Sequence, residues 1–393
     1  MIRDITKERC SGVAIQRVVY VIGTRPEVIR SAEILHHLSS DQSIEVLLLN
    51  TFQHYDSNMM NDLIDELSLP PATYALSLTE THQALRFGAM IQAISKILLE
   101  DSVSAVVVYG DTDSSAAAAI AAAKAFVPVI HIEAGCRSGD RRMQEELNRR
   151  LIDHLSSLLL PVSPNCSDLL TNEGMTGDIE ITGDPQYDVF AKVAPLCTQF
   201  ESRDLKGFVT IHRSENVDDP DFLPRFVIAL ATTALQTGIE FIWPVHPRTK
   251  SSLLRLRASD IDLTGITFVE PMSYAETLRH LADSKICITD SGGVQKEAFW
   301  LRVPCLTIRP STEWVETIEA RANVLVPDVT RLGYEVARSL ESCGDVRWTP
   351  DPYGGIGSAK RTANAISKWL SHSTKVVESI STMHQPPKEG YSQ

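Results

Sequence analysis

The sequence predicts an α/β protein built from two Rossmann-like, doubly wound domains that face a cleft. Short β-branched runs alternate with longer helical patterns from residue 17 onward, the signature of parallel sheets made of βαβ units. The runs fall into two sets of six, separated near Gly183–Lys206, where Asp184-Pro185 and Ala194-Pro195 interrupt the pattern. A chain of 393 residues is also too long for one ordinary core.

The first set of candidate strands is 17–22, 44–50, 105–109, 128–132, 157–162 and 179–182. The second is 207–211, 239–245, 266–270, 285–289, 304–308 and 323–326. Residues 1–190 therefore read as a first domain and 191–372 as a second. Residues 373–393, polar and containing Pro386-Pro387 and Gly390, read as a frayed tail. In open parallel sheets ligands gather beyond the carboxyl ends of the strands, so the chemistry belongs immediately after each strand.

The formal charge is -13, with no block of Lys or Arg long enough to track a nucleic-acid backbone or an anionic membrane. Nucleic acid and membrane are excluded as partners, and an anionic substrate would need Arg and His focused locally. Seven scattered cysteines, never in a Cys-x-x-Cys pair, suggest neither a disulfide framework nor a zinc site and point to a reducing cytoplasm. The charged N-terminus lacks a signal-peptide run, and the stretch Ala116–Ala125 is broken by Lys124.

The first strand ends in Gly23-Thr24-Arg25-Pro26-Glu27 and leads into a helix carrying Arg30. Pro suits a first helical position, and Arg25 and Arg30 would stand near a helix N-terminus, where anions are favoured. The plainer reading is a capped helix start with a surface arginine.

The third strand leads into Gly110-Asp111-Thr112-Asp113, the fourth into Glu133-Ala134-Gly135, and Glu145-Glu146-Leu147-Asn148-Arg149 follows soon after. Three carboxylates, Asp111, Glu133 and Glu145, thus reach one sheet edge, where burial and repulsion can separate their pKa values for acid and base work. Taken singly, Asp111 is a helix N-cap, Glu133 a solvent residue at a strand end, and Glu145 a first-turn Glu opposing the helix dipole. Asp111-Thr112-Asp113 also has the Asp-x-Asp form of some metal sites, but no further ligand follows at suitable spacing, so no metal is expected.

In the second half, strand exits carry His212-Arg213-Ser214-Glu215-Asn216 and His246-Pro247-Arg248. Two His-Arg pairs at equivalent points of the topology favour anion binding. In Thr289-Asp290-Ser291-Gly292-Gly293-Val294-Gln295-Lys296-Glu297 a strand gives way to Ser-Gly-Gly and a helix. Backbone N–H groups and the Ser291 hydroxyl can cradle a diphosphate there, and Glu297 can accept from a ribose diol. The alternative is a glycine turn capped by Ser291. The spaced glycine fingerprint of nicotinamide-binding domains is missing, and no cofactor is expected.

These motifs, with Gln53-His54 and His131-Ile132-Glu133-Ala134-Gly135, resemble the UDP-N-acetylglucosamine 2-epimerase family in unbroken order over roughly residues 17–370. The resemblance implies the glycosyltransferase-B fold, with UDP held mainly by the C-terminal domain and the sugar facing the N-terminal carboxylates. It makes Asp111, Glu133, Glu145 and His212 catalytic. Arg25, Arg213, Ser291, Gly292, Gly293 and Glu297 become nucleotide-binding, Met272 lies near the uracil, and Arg30, His54 and His246 complete the substrate set. A homodimer is the expected assembly.

The sequence departs from the family at Arg30, where Lys is frequent, at Phe52, at Gln144 and at Trp314, where many members have Arg. Asn58, Tyr109 and Thr312-Glu313-Trp314 look like members acting on UDP-2,3-diacetamido-2,3-dideoxyglucuronate. The implied reaction is inversion at carbon 2 of a UDP-N-acetylhexosamine through loss and re-addition of UDP. The alternatives are a hydrolysing relative releasing N-acetylmannosamine, a transferase on the same fold, and a nucleotide-sugar sensor.

Overall fold

Two parallel sheets organise the chain, described by a computed structural model over residues 15–51, 64, 67–197, 205–246, 249–250, 252–253, 263–348 and 351–383. Strands β1 (Gln16–Ile22), β2 (Ile44–Asn50), β3 (Tyr74–Ala75), β4 (Ala105–Tyr109), β5 (Val129–Ala134), β6 (Leu158–Pro161) and β7 (Asp178–Ile179) form the first, in the order β3-β2-β1-β4-β5-β6-β7. Strands β8 (Lys206–Thr210), β9 (Glu240–Pro244), β10 (Ile266–Val269), β11 (Ile286–Thr289), β12 (Cys305–Thr307) and β13 (Asn323–Leu325) form the second, in the order β10-β9-β8-β11-β12-β13. Both orders reverse direction beside the first strand of their own sheet, between β1 and β4 and between β8 and β11. Ligands of doubly wound sheets bind at such reversal points.

Helices cover both faces of the first sheet, which explains why its strands read as continuous apolar runs. Alternate residues of β1 serve opposite cores. Val18, Tyr20 and Ile22 pack with the helix Arg25–Ser40, while Val19 and Val21 pack with the helices Gln83–Glu100 and Asp113–Lys124. The alanine run of Asp113–Lys124 is almost wholly buried, its small side chains letting the helix lie close to the sheet. In the second sheet, Phe226 meets Trp243 edge-on, with ring centroids 5.4 Å apart, beneath β9.

Two compact units result. One holds the chain up to Gly135, Met143–Val189 and the part from Tyr353; the other holds Cys136–Arg142 and Phe190–Pro352. The sequence reading carried the second domain to residue 372, and here the structure differs. The helix Ser358–Met383 buries Ala359, Ala363, Ile366 and Leu370 in the core of the first unit, and Trp369 Nε1 donates to Asp178 Oδ2 at 2.8 Å. The tail expected from residue 373 is helical as far as Met383, and its remainder lies outside the described residues. Strand β3, two residues long, was not foreseen. Among the described residues no helix is long and apolar enough to cross a membrane.

Candidate active site

The end of β1 is built as a reciprocal helix cap. Thr24 accepts from the Glu27 amide, and Glu27 Oε2 accepts the amides of Gly23 and Thr24, each at 2.8 Å. Its other oxygen accepts the Thr112 hydroxyl at 2.6 Å, and Thr112 in turn caps Asp113–Lys124 by accepting the Ser115 amide at 3.2 Å. Buried Glu27 therefore ties together the two strand ends that flank the reversal point. Burial pushes its carboxyl above the usual range, against the pull of the Thr112, Gly23 and Thr24 donors and of Arg30.

With Thr112 as the cap, the plain reading of Asp111 as a helix N-cap is set aside. The Asp111 carboxylate pairs with Arg149, and its carbonyl accepts Asn148 Nδ2 at 3.0 Å. Asn148 and Arg149 sit one turn into the helix Gln144–Leu155, whose first turn carries Glu145 and Glu146. Glu145 is half-buried, whereas Glu146 is fully buried and pairs with Arg150 at 3.1 Å.

Glu133 is no solvent residue either: it is 4% exposed. It occupies a bulge where the β5–β6 register shifts, and its φ is 70°, a left-handed backbone that a residue with a Cβ adopts only under constraint. Arg30 Nη1 donates to Glu133 Oε2 at 3.3 Å, and the guanidinium lies 4.9 Å from the centre of the Tyr109 ring. Burial alone would lower the pKa of Arg30, but Glu133, Tyr109 and Asp111 hold it above the ordinary value. The charge of Arg30 is thus paired with Glu133 on the same unit. Arg25, at the start of the same helix, is exposed.

In the second unit the corresponding reversal point is organised by Asp290, which is fully buried. Its carboxylate accepts the amides of His212 at 3.1 Å and Arg213 at 3.0 Å, and Asn216 Nδ2 at 2.9 Å. Arg213 Nε donates back to the Asp290 carbonyl at 3.0 Å. The His212 ring stands 5.6 Å from that of His246, which is exposed at the end of β9. His212, Arg213, Ser291, Gly292, Gly293 and, in the loop after β10, Met272 are partly exposed, while Glu297 is buried at 4%.

Ser291 does not cap the helix Gly292–Trp300 with its side chain, so the capped-turn alternative for Ser-Gly-Gly does not hold. Gly292 is required by close approach, since a Cβ there would stand 2.6 Å from Glu313 Oε1. Glu313 is held by Arg309 at 2.8 Å, and Trp314 lies under the ammonium of Lys296, 4.0 Å from its ring centre. Of the remaining sequence candidates, His54, with Phe52, Gln53, Asn58, Pro247 and Arg248, lies outside the described residues.

The sequence reading assigned no role to Glu27, Asp290 or Arg149. Only Glu27 had a local signal, the Thr-x-x-Glu spacing of a capping box. Among the described residues no group of three or more His, Cys, Asp or Glu is placed to hold a metal.

A family model described as UDP-N-acetylglucosamine 2-epimerase matches residues 36–367. The UDP-2,3-diacetamido-2,3-dideoxy-D-glucuronate 2-epimerase of Pseudomonas aeruginosa is 35% identical over 361 residues, covering 90% of this chain and 99% of that one. A UDP-N-acetylglucosamine 2-epimerase of Methanococcus maripaludis is 32% identical over 366 residues, covering 89% and 98%. The crystal structure of the Methanocaldococcus jannaschii UDP-GlcNAc 2-epimerase in complex with UDP-GlcNAc and UDP superposes with a TM-score of 0.80 at 32% identity, covering 91% of this chain and all of that one. The two doubly wound units are accordingly of the glycosyltransferase-B type. A match of this extent in sequence and in fold establishes that the chain belongs to the UDP-N-acetylglucosamine 2-epimerase family.

Proposed function

We propose that the chain inverts carbon 2 of a UDP-linked N-acetylhexosamine by eliminating UDP and adding it back. The observation that carries this reading is the pair of arginine-held carboxylates, Asp111 with Arg149 and Glu133 with Arg30, at adjoining strand ends. Neutralised in this way, two acids stand close to one another without mutual repulsion ejecting either from the site.

The hydrogen on carbon 2 of such a sugar is not acidic, because no carbonyl adjoins it. As the anomeric C–O bond breaks, its electron pair leaves with UDP and positive charge develops on carbon 1. A carboxylate then takes the carbon 2 proton, the C–H electrons form the C1=C2 bond, and a glycal results. Proton return to the other face, with UDP re-adding at carbon 1, yields the epimer. No hydride moves and no nicotinamide is called for.

In this reading Asp111, Glu133 and Glu145 serve the sugar. His212, Arg213, Ser291 and the amides of Gly292 and Gly293 serve the diphosphate, with Arg25 and His246 as further cations. Glu297 serves the ribose and Met272 the uracil. The relatives named above share UDP and a 2-acetamido group, which sets the substrate class: UDP-N-acetylglucosamine or a 2,3-diacetamido-uronate analogue. The enzyme works in this reading as a cytoplasmic homodimer, which sedimentation of the purified protein checks.

Incubation with either sugar in deuterium oxide, without acceptor, nicotinamide or metal, tests the reaction. Deuterium at carbon 2 with most sugar still attached to UDP is the expected result. Stoichiometric free N-acetylmannosamine would instead mark a hydrolase, and exchange that waits for an acceptor would mark a transferase.

A further inference from the structure

We propose that His131 and Asp153 form a positioning pair that sets the placement of Asp111 and Glu133 together. The inference rests on the reading of those two carboxylates as the groups that serve the sugar. His131 lies on β5 and Asp153 near the end of the helix Gln144–Leu155, and both side chains are completely buried. His131 Nδ1 is 2.6 Å from Asp153 Oδ1, and Nε2 is 2.8 Å from the Gly110 carbonyl oxygen. A carbonyl oxygen only accepts, so Nε2 carries a hydrogen, and the remaining contact shares a proton with Asp153. The second Asp153 oxygen accepts the Gly135 amide at 3.2 Å.

The ends of this chain of bonds are two glycine turns in the left-handed region, Gly110 at φ 73° and Gly135 at φ 79°. Gly110 supplies the peptide carbonyl that leads directly into Asp111. Gly135 closes the bulge on which Glu133 sits two residues earlier. One buried pair thus holds the backbone on both sides of the site, through the peptide groups of Gly110 and Gly135. The helix that supplies Asp153 also supplies Asn148 and Arg149 to Asp111, so the site and its brace share one rigid element.

Energetics favour a geometric role over a stabilising one. Replacing a buried ion pair by apolar residues of similar volume is often neutral or stabilising, so such a pair is weak evidence for stability. What an apolar pair could not do is aim two hydrogen bonds at the Gly110 carbonyl and the Gly135 amide. Misplacement of a reacting group by about 1 Å costs on the order of 100-fold in rate. A brace acting on two such groups at once therefore has a large effect on turnover while leaving nucleotide binding alone.

The test is a set of double-mutant cycles on the full chain, with melting curves to verify folding and calorimetry to measure UDP affinity. His131→Asn keeps a donor towards Asp153 and loses the Gly110 bond; Asp153→Asn is the isosteric second variant. Each should lower turnover by about 10–100-fold with UDP affinity unchanged. Combined with Glu133→Gln, each should lower it by less than the product of the two separate effects, and combined with Glu133→Gln and Asp111→Asn together by no more than about threefold further, because the pair acts through the two groups then removed. A multiplicative loss in the double variants, wild-type turnover in folded Asp153→Asn, or failure of both single variants to fold would overturn the proposal and leave the pair a stability element. Wild-type turnover in Glu133→Gln alone would instead sink the reading on which the inference rests.

Discussion

The Asp290 carboxylate accepts the Arg213 amide at 3.0 Å, while Arg213 Nε donates to the Asp290 carbonyl at the same distance. Two strand ends 77 residues apart in sequence are locked by this exchange into one surface, the His-Arg loop on one side and the Ser-Gly-Gly turn on the other. Asp290→Asn replaces one acceptor oxygen by a donor beside three N–H groups. UDP affinity should fall by about tenfold to a hundredfold, the equivalent of roughly one or two broken charge-assisted bonds. Calorimetry with UDP alone checks it, and an unchanged affinity would separate Asp290 from the nucleotide site.

Removing a positioned acid or base costs turnover while sparing nucleotide affinity. Glu133→Gln and Asp111→Asn should each lower kcat by roughly two to four orders of magnitude. Glu145→Gln should do less, because Glu145 is half-buried at a helix start and is not set on a strained bulge as Glu133 is. Steady-state assays of the three variants with UDP titrations alongside decide the order.

Ser291→Ala and Arg213→Ala should weaken UDP binding, each by about 1.5–3 kcal/mol for a donor lost from a charged diphosphate. The Ser291 side chain does not cap its own helix, so the Ser291→Ala variant should melt at the wild-type temperature. Unchanged affinity in both variants would move the nucleotide elsewhere.

Glu27→Ala leaves the amides of Gly23 and Thr24 without their acceptor in a buried turn and should destabilise the fold by about 2–4 kcal/mol. The gap should depend on pH. Burial raises the folded-state pKa of Glu27, so its contribution is full below the ordinary value of 4.5 and is lost as pH rises through the folded value. Denaturant melts of wild type and variant should therefore draw closer as pH is raised above 4.5. A gap that widens instead would mean that the surrounding donors outweigh burial.

Gly135→Ala meets two obstacles, a φ of 79° and a Cβ only 2.2 Å from the Cys166 carbonyl oxygen. The expected loss is about 2–5 kcal/mol from backbone strain and overpacking together. Gly139→Ala is the control, with φ 75° and open space around its Cβ. Equal melting temperatures for the two would refute the steric argument.

Many strands were legible as short apolar runs, often β-branched, with a turn residue at the end, as in Ala105–Tyr109 before Gly110. Tyr74–Ala75 was not, since a two-residue edge strand after Pro70-Pro71 has no run to read. The carboxylates could be found from their position after strands, but not the state of Glu133, whose bulge is a property of the β5–β6 register. The charge of Arg30 was legible in the sequence but its partner Glu133, which lies 103 residues away, was not. Residues 373–383 read as tail because their polar composition hides that they continue the helix Ser358–Met383, and the helix itself does not say which sheet it covers.

The placement of that last helix has a consequence for how the protein is made. Ala359, Ala363, Ile366 and Leu370 belong to the core built on β1, yet the whole second unit is synthesised between them and that strand. On the ribosome the first sheet must wait, with one apolar face covered only in part by the helix Arg25–Ser40, while the second unit is made. A product that stops near residue 350 would carry every carboxylate and every candidate nucleotide-binding residue named above and still lack the part of the first core that Ala359, Ala363, Ile366 and Leu370 fill. Such a fragment is a substrate for chaperones and proteases rather than an enzyme.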